Sequence, residues 1–268
     1  MPRVLLCILL LLSFSSSAIV IRHDVDDLKY RIQAAEFPAL ADMPVEGHGV
    51  LIASQWIVTA AHAITWQPEI KQIMVGGLPR AVERIEIHPG YKAPPKQLLE
   101  QALVTWDWTL FRVQLASSDD IALVKLAKPI TDVAPVSIFS SNSEFGQVAK
   151  IIGKGATGNG VSGYEFSAPH RTELRQAFNK ITSANGRWLC YLFDNSAESL
   201  ALEGGSGSGD SGGPVLIEGK TEWQLAGLAS WTDAQSANRT LGQYGQITCN
   251  VRLSHYQKWI QGLISVQL

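Results

Sequence analysis

The chain has 268 residues, of which 46% are apolar and 17% are charged, a composition typical of a globular protein of one or two domains. Lys and Arg together number 22 and Asp and Glu together number 24, so the net charge is −2. This balance argues against nucleic acid and against an anionic membrane surface as partners, because both attract strongly basic proteins.

The first 18 residues have the pattern of a secretory signal peptide. Arg3 precedes an apolar run over residues 4–12, and small residues follow at 16–18, which is the usual order of charged region, apolar region and cleavage site. The apolar run is too short to span a bilayer, although an N-terminal membrane anchor is the alternative interpretation. We expect cleavage before Ile19, secretion into an extracellular or periplasmic space, and no membrane association afterwards.

The mature chain is predicted to be rich in β-strands. Residues 49–62 contain two short apolar runs separated by residues 53–55, as in a hairpin, and residues 81–89 and 120–126 alternate between apolar and polar side chains. Further apolar runs bounded by glycine cover residues 148–155, 212–219 and 223–231. Many short strands separated by Gly and Pro favour a β barrel or sandwich over alternating strands and helices.

Two segments have helical spacing. Residues 95–103 form one, inside a long connection, and residues 254–264 form the other, which we expect to begin with Ser254 as its N-cap. The apolar side chains on one face of the second helix are Tyr256, Ile260 and Leu263.

Residues 209–213, with the sequence GDSGG, fit the G-x-S-x-G pattern of an exposed serine nucleophile and place Ser211 at its centre. The same pattern is found in the nucleophile elbow of a lipase, in a protease loop and in a plain Gly/Ser turn. A serine hydroxyl reacts well only beside a base, usually a histidine that a carboxylate orients. The pattern therefore has to be interpreted together with possible partners.

His62 and Asp120 are the candidate partners of Ser211. His62 ends an apolar run, and Asp120 follows Asp119 at the start of a predicted strand. Taken alone, each has an ordinary alternative, a structural histidine or a turn carboxylate. Their order in the chain differs from that of an α/β-hydrolase, in which the serine comes first, and this disfavours a serine esterase on that scaffold.

Four segments occur in an order that resembles the trypsin/chymotrypsin-like serine protease family. They are SQWIVTAAHA at 54–63, DDIALVKL at 119–126, GSGDSGGPV at 207–215 and ASW at 229–231. The resemblance implies an all-β fold of two six-stranded antiparallel Greek-key β barrels with a C-terminal α-helix, the chymotrypsin-like double barrel. The active site would lie in the crevice between the barrels.

The resemblance also implies a domain organisation. We expect a signal peptide over residues 1–18 and one trypsin-like peptidase domain over residues 19–268. Within that domain, the N-terminal barrel would cover about residues 30–130, the C-terminal barrel about 131–252 and the terminal helix about 254–264.

Roles follow from the resemblance, residue by residue. His62 would be the general base and then the general acid, Asp120 its orienting carboxylate, and Ser211 the nucleophile. The backbone N–H groups of Gly209 and Ser211 would form the oxyanion hole. The residues expected to contact substrate are Gly205, Ser206, Ser230, Trp231, Thr232 and Gly245. No metal or other cofactor is implied.

The N-terminus departs from the usual pattern of the family. There, proteolysis of a precursor frees an α-amino group that pairs with the aspartate before the nucleophile. Here we expect leader cleavage itself to expose Ile19, whose amino group would pair with Asp210 without a zymogen step. The alternative is that Ile19 and Val20 are an ordinary pair of residues and that activation differs.

The cysteines depart from the family as well. Cys7 would be lost with the leader, and Gly47 and Ala63 stand where the family has a bridge beside the histidine. Cys190 and Cys249 remain, on two strands that the family fold places side by side. The resemblance therefore implies a disulfide between them, and two buried free thiols are the alternative.

Specificity is predicted from the residues that precede the nucleophile. Gly205 and Ser206 would leave the base of the specificity pocket uncharged, and Thr232 would narrow its mouth. This argues against a preference for Arg or Lys, although Asp233 could supply an acid from the rim.

A long insertion over residues 92–118 also distinguishes this chain, because the family usually has a much shorter loop there. Its aromatic residues could wall off substrate subsites or pack the insertion onto the barrel. They are Trp106, Trp108 and Phe111.

We therefore expect a secreted, monomeric serine endopeptidase that hydrolyses protein or peptide substrates through an acyl-enzyme. A catalytically silent homologue that only binds partners and a serine esterase are the alternatives. Asn238 begins an N-R-T glycosylation sequon, which has meaning only in a host that glycosylates.

Overall fold

The computed structural model describes residues 19–67, 69–105, 107–164, 173–233 and 240–265. The predicted leader, Trp106 and Asn238 lie outside these residues. The strands are β1 (Ile19–Ile21), β2 (Leu40–Asp42), β3 (His48–Ala53), β4 (Trp56–Thr59), β5 (Gln72–Val75), β6 (Leu78–Ile87), β7 (Ala122–Leu126), β8 (Val148–Gly153), β9 (Thr157–Asn159), β10 (Gly163–Tyr164), β11 (Arg175–Asn185), β12 (Trp188–Phe193), β13 (Gly204–Gly205), β14 (Pro214–Glu218), β15 (Trp223–Asp233) and β16 (Gln246–Arg252). The helices are α1 (Ala61–Thr65), α2 (Lys96–Thr105), α3 (Thr109–Ala116) and α4 (Leu253–Ser265), with 3₁₀ turns at Asp27–Lys29 and Ala34–Glu36.

Two closed barrels contain most of the strands, which confirms the predicted architecture. The first closes in the order β2-β3-β4-β7-β6-β5 and the second in the order β11-β12-β16-β15-β14-β8. Neighbouring strands within each barrel are antiparallel. Closure pairs both edges of every barrel strand, so neither barrel exposes a sheet edge. Strands β10, β9, β1 and β13 form a separate small sheet.

Strand β7 shows how the barrels are joined. All five of its residues are buried, and its apolar residues pack into two different cores. Ala122, Val124 and Leu126 face the core of the first barrel. Leu123 and the preceding Ile121 face a second cluster, called the inter-barrel core below. The inter-barrel core includes Val50 and Val58 from the first barrel, Leu216, Leu228 and Val251 from the second, and Tyr256 and Ile260 from α4.

Helix α4 confirms the predicted terminal helix and its apolar face. Tyr256 and Ile260 are buried, and Leu263 packs against them at the edge of the inter-barrel core. The predicted N-cap was wrong: the helix begins at Leu253, directly after β16, so Ser254 lies in its first turn. The Ser254 hydroxyl donates to Glu144 instead, 2.6 Å away.

The insertion forms a helical hairpin. Helix α2 extends two residues beyond the segment that was predicted, and α3 was not predicted at all. The hairpin is anchored to the second barrel at the end of α3. There Trp188 Nε1 donates to the Ala116 carbonyl at 3.0 Å, and Arg187 Nη1 donates to the Ser117 carbonyl at 2.8 Å. None of the helices within the described ranges is long and apolar enough to cross a membrane.

The predicted disulfide is present between Cys190 and Cys249. The two residues face each other directly on the paired strands β12 and β16. Both are buried, so the bridge lies in the wall of the second barrel.

Loss of this bridge is expected to destabilise the protein. Because it closes a loop with a sequence separation of 59, the chain-entropy model predicts that a Cys190→Ala/Cys249→Ala variant loses up to about 4 kcal/mol of unfolding free energy. Urea-induced unfolding of the variant, of the oxidised protein and of the reduced protein measures this loss. Equal unfolding midpoints for all three would contradict it.

Candidate active site

His62 is placed by the short helix α1, which follows β4 directly. The prediction put this side chain where the chain leaves the core, and the structure places it in the first turn after the strand. Ala61, Ala63 and Ile64 of the same helix are buried. This packing fixes the helix against the first barrel, while His62 itself remains partly accessible from the cleft.

His62, Asp120 and Ser211 form a continuous hydrogen-bonded line. His62 Nδ1 lies 2.7 Å from Asp120 Oδ2, and His62 Nε2 lies 2.8 Å from Ser211 Oγ. When Nδ1 carries the proton and donates to the carboxylate, Nε2 is free to accept the serine proton. The line crosses the interface, because His62 and Asp120 belong to the first barrel and Ser211 belongs to the second.

Asp120 is fully buried and is satisfied by three donors. Besides the imidazole, its carboxylate accepts from the backbone N–H of His62 at 2.8 Å and from the Ser230 hydroxyl at 2.6 Å. A buried carboxylate with this many donors is held in one orientation. Ser230 was predicted to contact substrate, and its hydroxyl is used here to hold Asp120.

The turn that carries Ser211 depends on glycine. Gly209 and Gly212 both have positive φ, 88° and 76°, a conformation that other residues adopt only at a cost. A Cβ on Gly212 would also overlap the carbonyl oxygen of His48. That contact holds the turn against β3, where the His48 N–H donates to the Ser211 carbonyl at 2.7 Å.

The backbone N–H groups of Gly209 and Ser211 have no protein acceptor among the residues that the structure describes. Gly209 is buried and Ser211 is half-buried at the edge of the cleft. Two such donors near one serine hydroxyl are suited to binding the oxygen of a substrate carbonyl.

Asp210, between these two residues, points away from the cleft into the protein. It is 1% exposed, and it accepts from the backbone N–H groups of Gly155 at 2.7 Å and of Gly207 at 2.8 Å. Burial raises the pKa of its carboxyl, and the nearby His48 and these N–H groups oppose that rise. His48 Nε2 lies 3.8 Å from Asp210 Oδ1.

Ile19, the predicted mature N-terminus, is fully buried. Strand β1 lies between β9, to which it is parallel, and β13, to which it is antiparallel, with Val20 opposite Gly205. Ile19 has a φ of 69°, and within the described chain it is the one residue other than glycine with positive φ. A β-branched residue is strained in this region.

The cleft beside Ser211 is a cavity of about 710 Å³. Four of the six residues predicted to contact substrate line it, namely Ser206, Ser230, Trp231 and Thr232. Gly205 and Gly245 do not. Gly205 is buried in β13, where an added Cβ would lie 3.5 Å from Tyr191 Cε2. Gly245 precedes β16, and its N–H donates to the Phe193 carbonyl at 2.7 Å.

Neutral side chains line the second-barrel side of the cavity. Thr248 lines it as well, with its hydroxyl 3.2 Å from that of Thr232. The buried Tyr191 places its hydroxyl 3.4 Å from that of Ser206. The sequence analysis missed Thr248 and Tyr191, because each lies on a strand that was recognised only as part of the barrel.

The opposite wall of the cavity is the helical hairpin. Its apolar residues on this wall are Leu99, Leu103, Trp108, Phe111 and Leu115. The rings of Trp108 and Phe111 pack edge to face with their centroids 5.5 Å apart. Asp233, predicted at the rim, has its carboxylate 3.6 Å from the guanidinium of Arg112 on α3.

Comparison with known proteins agrees with this geometry. A family model described as Trypsin matches residues 29–260. The chain belongs to the trypsin family. It is similar to the snake venom serine protease gussurobin of Gloydius ussuriensis, with 28% identity over 81% of this chain and 76% of that protein. It is also similar to putative trypsin-6 of Homo sapiens, with 27% identity over 96% of this chain and 98% of that protein. It is similar as well to the thrombin-like enzyme cerastocytin of Cerastes cerastes, with 28% identity over 82% of this chain and 77% of that protein.

Membership of this family makes the protein a serine-type peptidase. Three further features of the site are the helical hairpin along the cleft, the hydroxyl-lined cavity and the buried contact between His48 and Asp210.

Proposed function

We propose that the enzyme is a secreted endopeptidase that cleaves peptide bonds with Ser211 as nucleophile, His62 as base and Asp120 as orienting carboxylate. The observation that carries the proposal is the hydrogen-bonded line from the Asp120 carboxylate to Ser211 Oγ. The proposed substrates are proteins or peptides, taken by a monomer without nucleic acid or membrane as partner.

In the first half of the reaction, Ser211 Oγ attacks the scissile carbonyl carbon while His62 Nε2 takes the hydroxyl proton. The carbonyl oxygen becomes an oxyanion bound by the N–H groups of Gly209 and Ser211, a contribution of about 3–4 kcal/mol for one such donor in comparable enzymes. His62 then returns the proton to the leaving amine, and the peptide bond breaks. Water attacks the remaining ester by the same steps and restores the Ser211 hydroxyl.

Labelling of Ser211 tests this assignment. A serine-directed phosphonate should react stoichiometrically with the secreted protein, and mass spectrometry of its peptides should locate the label on Ser211. Reaction should be lost in His62→Ala, because the hydroxyl then has no base.

Circular dichroism of His62→Ala provides the control for folding. Folded wild-type protein that takes up no label would indicate a catalytically silent homologue. Label on another serine would overturn the assignment of Ser211.

We also propose that Ile19 is the mature N-terminus and that its α-amino group pairs with Asp210. The strained φ of Ile19 supports this, because φ is defined across the bond to residue 18 and cleavage of that bond removes the constraint. The burial of Ile19 and the pairing of β1 on both edges support it as well. Cleavage would then relieve strain in a segment that already has its final packing.

N-terminal sequencing of the secreted protein should find Ile19 as the first residue. Activity should fall at alkaline pH, because a free α-amino group loses its charge above about pH 8 and can then no longer pair with a carboxylate. Acetylation of that group should lower activity at all pH values. A mature start at another residue, or full activity after acetylation, would contradict the proposal.

The cavity supports a preference for uncharged substrate side chains. Within the described residues, the second-barrel lining holds hydroxyls and apolar groups and no charged side chain. We propose that the hairpin wall binds apolar side chains of the substrate that precede the cleaved bond. Because α3 is anchored to β12 through Trp188 and Arg187, this wall is held in place before substrate arrives.

Phe111→Ala should lower kcat/KM on the order of tenfold for peptides with bulky apolar residues before the cleaved bond, since a buried apolar contact contributes roughly 1–3 kcal/mol. Peptides with small residues there should be affected less. Val113→Ala is the matched control, because Val113 lies on the same helix, is 62% exposed and does not line the cavity. Equal losses for both peptide sets would show that the wall has no role in specificity.

A further inference from the structure

Arg112 brings a positive charge into the wall that the helical hairpin presents to the cleft. It lies on α3 and lines the cavity beside Ser211, yet its side chain is only 16% exposed. Phe111 and Leu115 of the same helix line the same cavity. A guanidinium that is shielded from water in this way interacts more strongly with an opposite charge than one at the open surface, because the local dielectric is lower.

Most of the N–H donors of this guanidinium remain available for a ligand. The group carries five such donors. Its Nη2 lies 3.4 Å from Thr109 Oγ1 and 3.6 Å from Asp233 Oδ1. The second distance is longer than a hydrogen bond, and within the described residues no other acceptor lies within hydrogen-bond distance of the guanidinium.

Asp233 orients Arg112 without occupying the side that faces the cavity. The Asp233 side chain is 46% exposed, and this residue is not part of the cavity lining. An ion pair that is open to water and separated by this distance is weak, because water screens it. A molecule in the cavity therefore meets the cation of this pair and not the anion.

The other charged side chains of the cavity, apart from His62, leave Arg112 as its one shielded cation within the described chain. Lys96 of the hairpin also lines the cavity, but its side chain is 84% exposed and its ammonium lies 3.3 Å from the carboxylate of Glu100. Glu46 belongs to the loop between β2 and β3 rather than to the hairpin. The hairpin wall is therefore cationic, and its charge is concentrated at Arg112.

The pairing of β15 indicates which part of a substrate reaches this charge. The strand remains paired with β16 as far as Asp233, whereas its pairing with β14 ends at Leu228. Within the described chain, residues 230–233 therefore leave one edge to which an extended peptide can add as a strand. Ser230 begins this edge next to the proposed triad, and Asp233 lies three residues further, roughly 10 Å away along a strand. A side chain two to four residues before the cleaved bond would meet Arg112.

We propose that Arg112 is a specificity-determining residue that binds the carboxylate of an aspartate or glutamate in the substrate, two to four residues before the cleaved bond. A planar guanidinium can donate two parallel N–H groups to such a carboxylate. The side chain directly before the bond meets the uncharged second-barrel lining, and apolar side chains contact the rest of the hairpin wall. The inference rests on the proposed function and names a substrate class for it.

Peptide pairs that differ only in Glu or Gln test the preference. In fluorogenic peptides, the two residues are exchanged at the second, third or fourth position before the cleaved bond. For the wild type, kcat/KM at one of these positions should be about tenfold or more higher with Glu than with Gln, as expected for hydrogen bonds to a charged group. This quotient is called the Glu/Gln ratio below.

Arg112→Gln should abolish the preference and leave catalysis in place. The Glu/Gln ratio should fall to about one, because a neutral amide does not distinguish the charge. The Gln peptides should change in kcat/KM by less than about threefold, because their interactions in the transition state are retained. A purely structural defect would lower kcat/KM for both peptides of a pair and leave the ratio as it is.

Two further variants make the test specific. Lys96→Gln removes the same charge from the same wall at an exposed position, so its Glu/Gln ratio should stay within about twofold of the wild type. Asp233→Asn removes the anion that competes for Arg112 and should raise the ratio, by about twofold or more. This exposed substitution carries the test if Arg112→Gln does not fold, as judged by circular dichroism.

The outcomes distinguish this inference from the proposed function. Wild-type protein that fails to label at Ser211 refutes the proposed function and the inference that rests on it. Labelled, active wild-type protein with a Glu/Gln ratio near one at all three positions refutes the role of Arg112 alone. So does a ratio that Arg112→Gln leaves unchanged, that Lys96→Gln lowers equally, or that Asp233→Asn fails to raise where only that variant folds. A ratio that is lost in Arg112→Gln and kept in Lys96→Gln supports the inference.

Discussion

Apolar contact between the two barrels is the constraint on which the rest of the site depends. Each barrel closes on itself and buries its own interior, so only the outward faces of a few strands are left to join them. The inter-barrel core meets that need with aliphatic side chains from both barrels and from α4. Because such a core packs at the density of a crystal, it fixes the distance between His62 on one side and Ser211 on the other to within a hydrogen bond.

This packing also explains why the site can contain buried charge. Asp120 and Asp210 lie at the edge of the inter-barrel contact, and both are removed from water. Asp120 accepts hydrogen bonds from an imidazole, a backbone N–H and a hydroxyl, and these three donors hold its carboxylate in place. Asp210 has backbone donors from its own barrel, and among the described residues the imidazole of His48 approaches it from the other barrel. Asp120 therefore connects the barrels through the Ser230 hydroxyl, and Asp210 does so through its contact with His48.

The sequence predicted those features of the architecture that depend on local residue patterns. Alternating apolar residues identified the strands, and the order of His62, Asp120 and Ser211 indicated a protease rather than a lipase-type scaffold. The start of α4 was misplaced by one residue, because Ser254 is a good N-cap in isolation but is used by Glu144 in the fold.

The missed features depend on contacts between distant parts of the chain. Helix α3 contains Thr109, Phe111 and Val113, which favour strands, and it is held as a helix next to β12 by Trp188 and Arg187. No pattern around His48 indicates that it would meet Asp210 across the interface. Gly205 was expected at the cavity from a register through a Gly/Ser-rich stretch; neither it nor Gly245 lines the cavity, and Thr248 does.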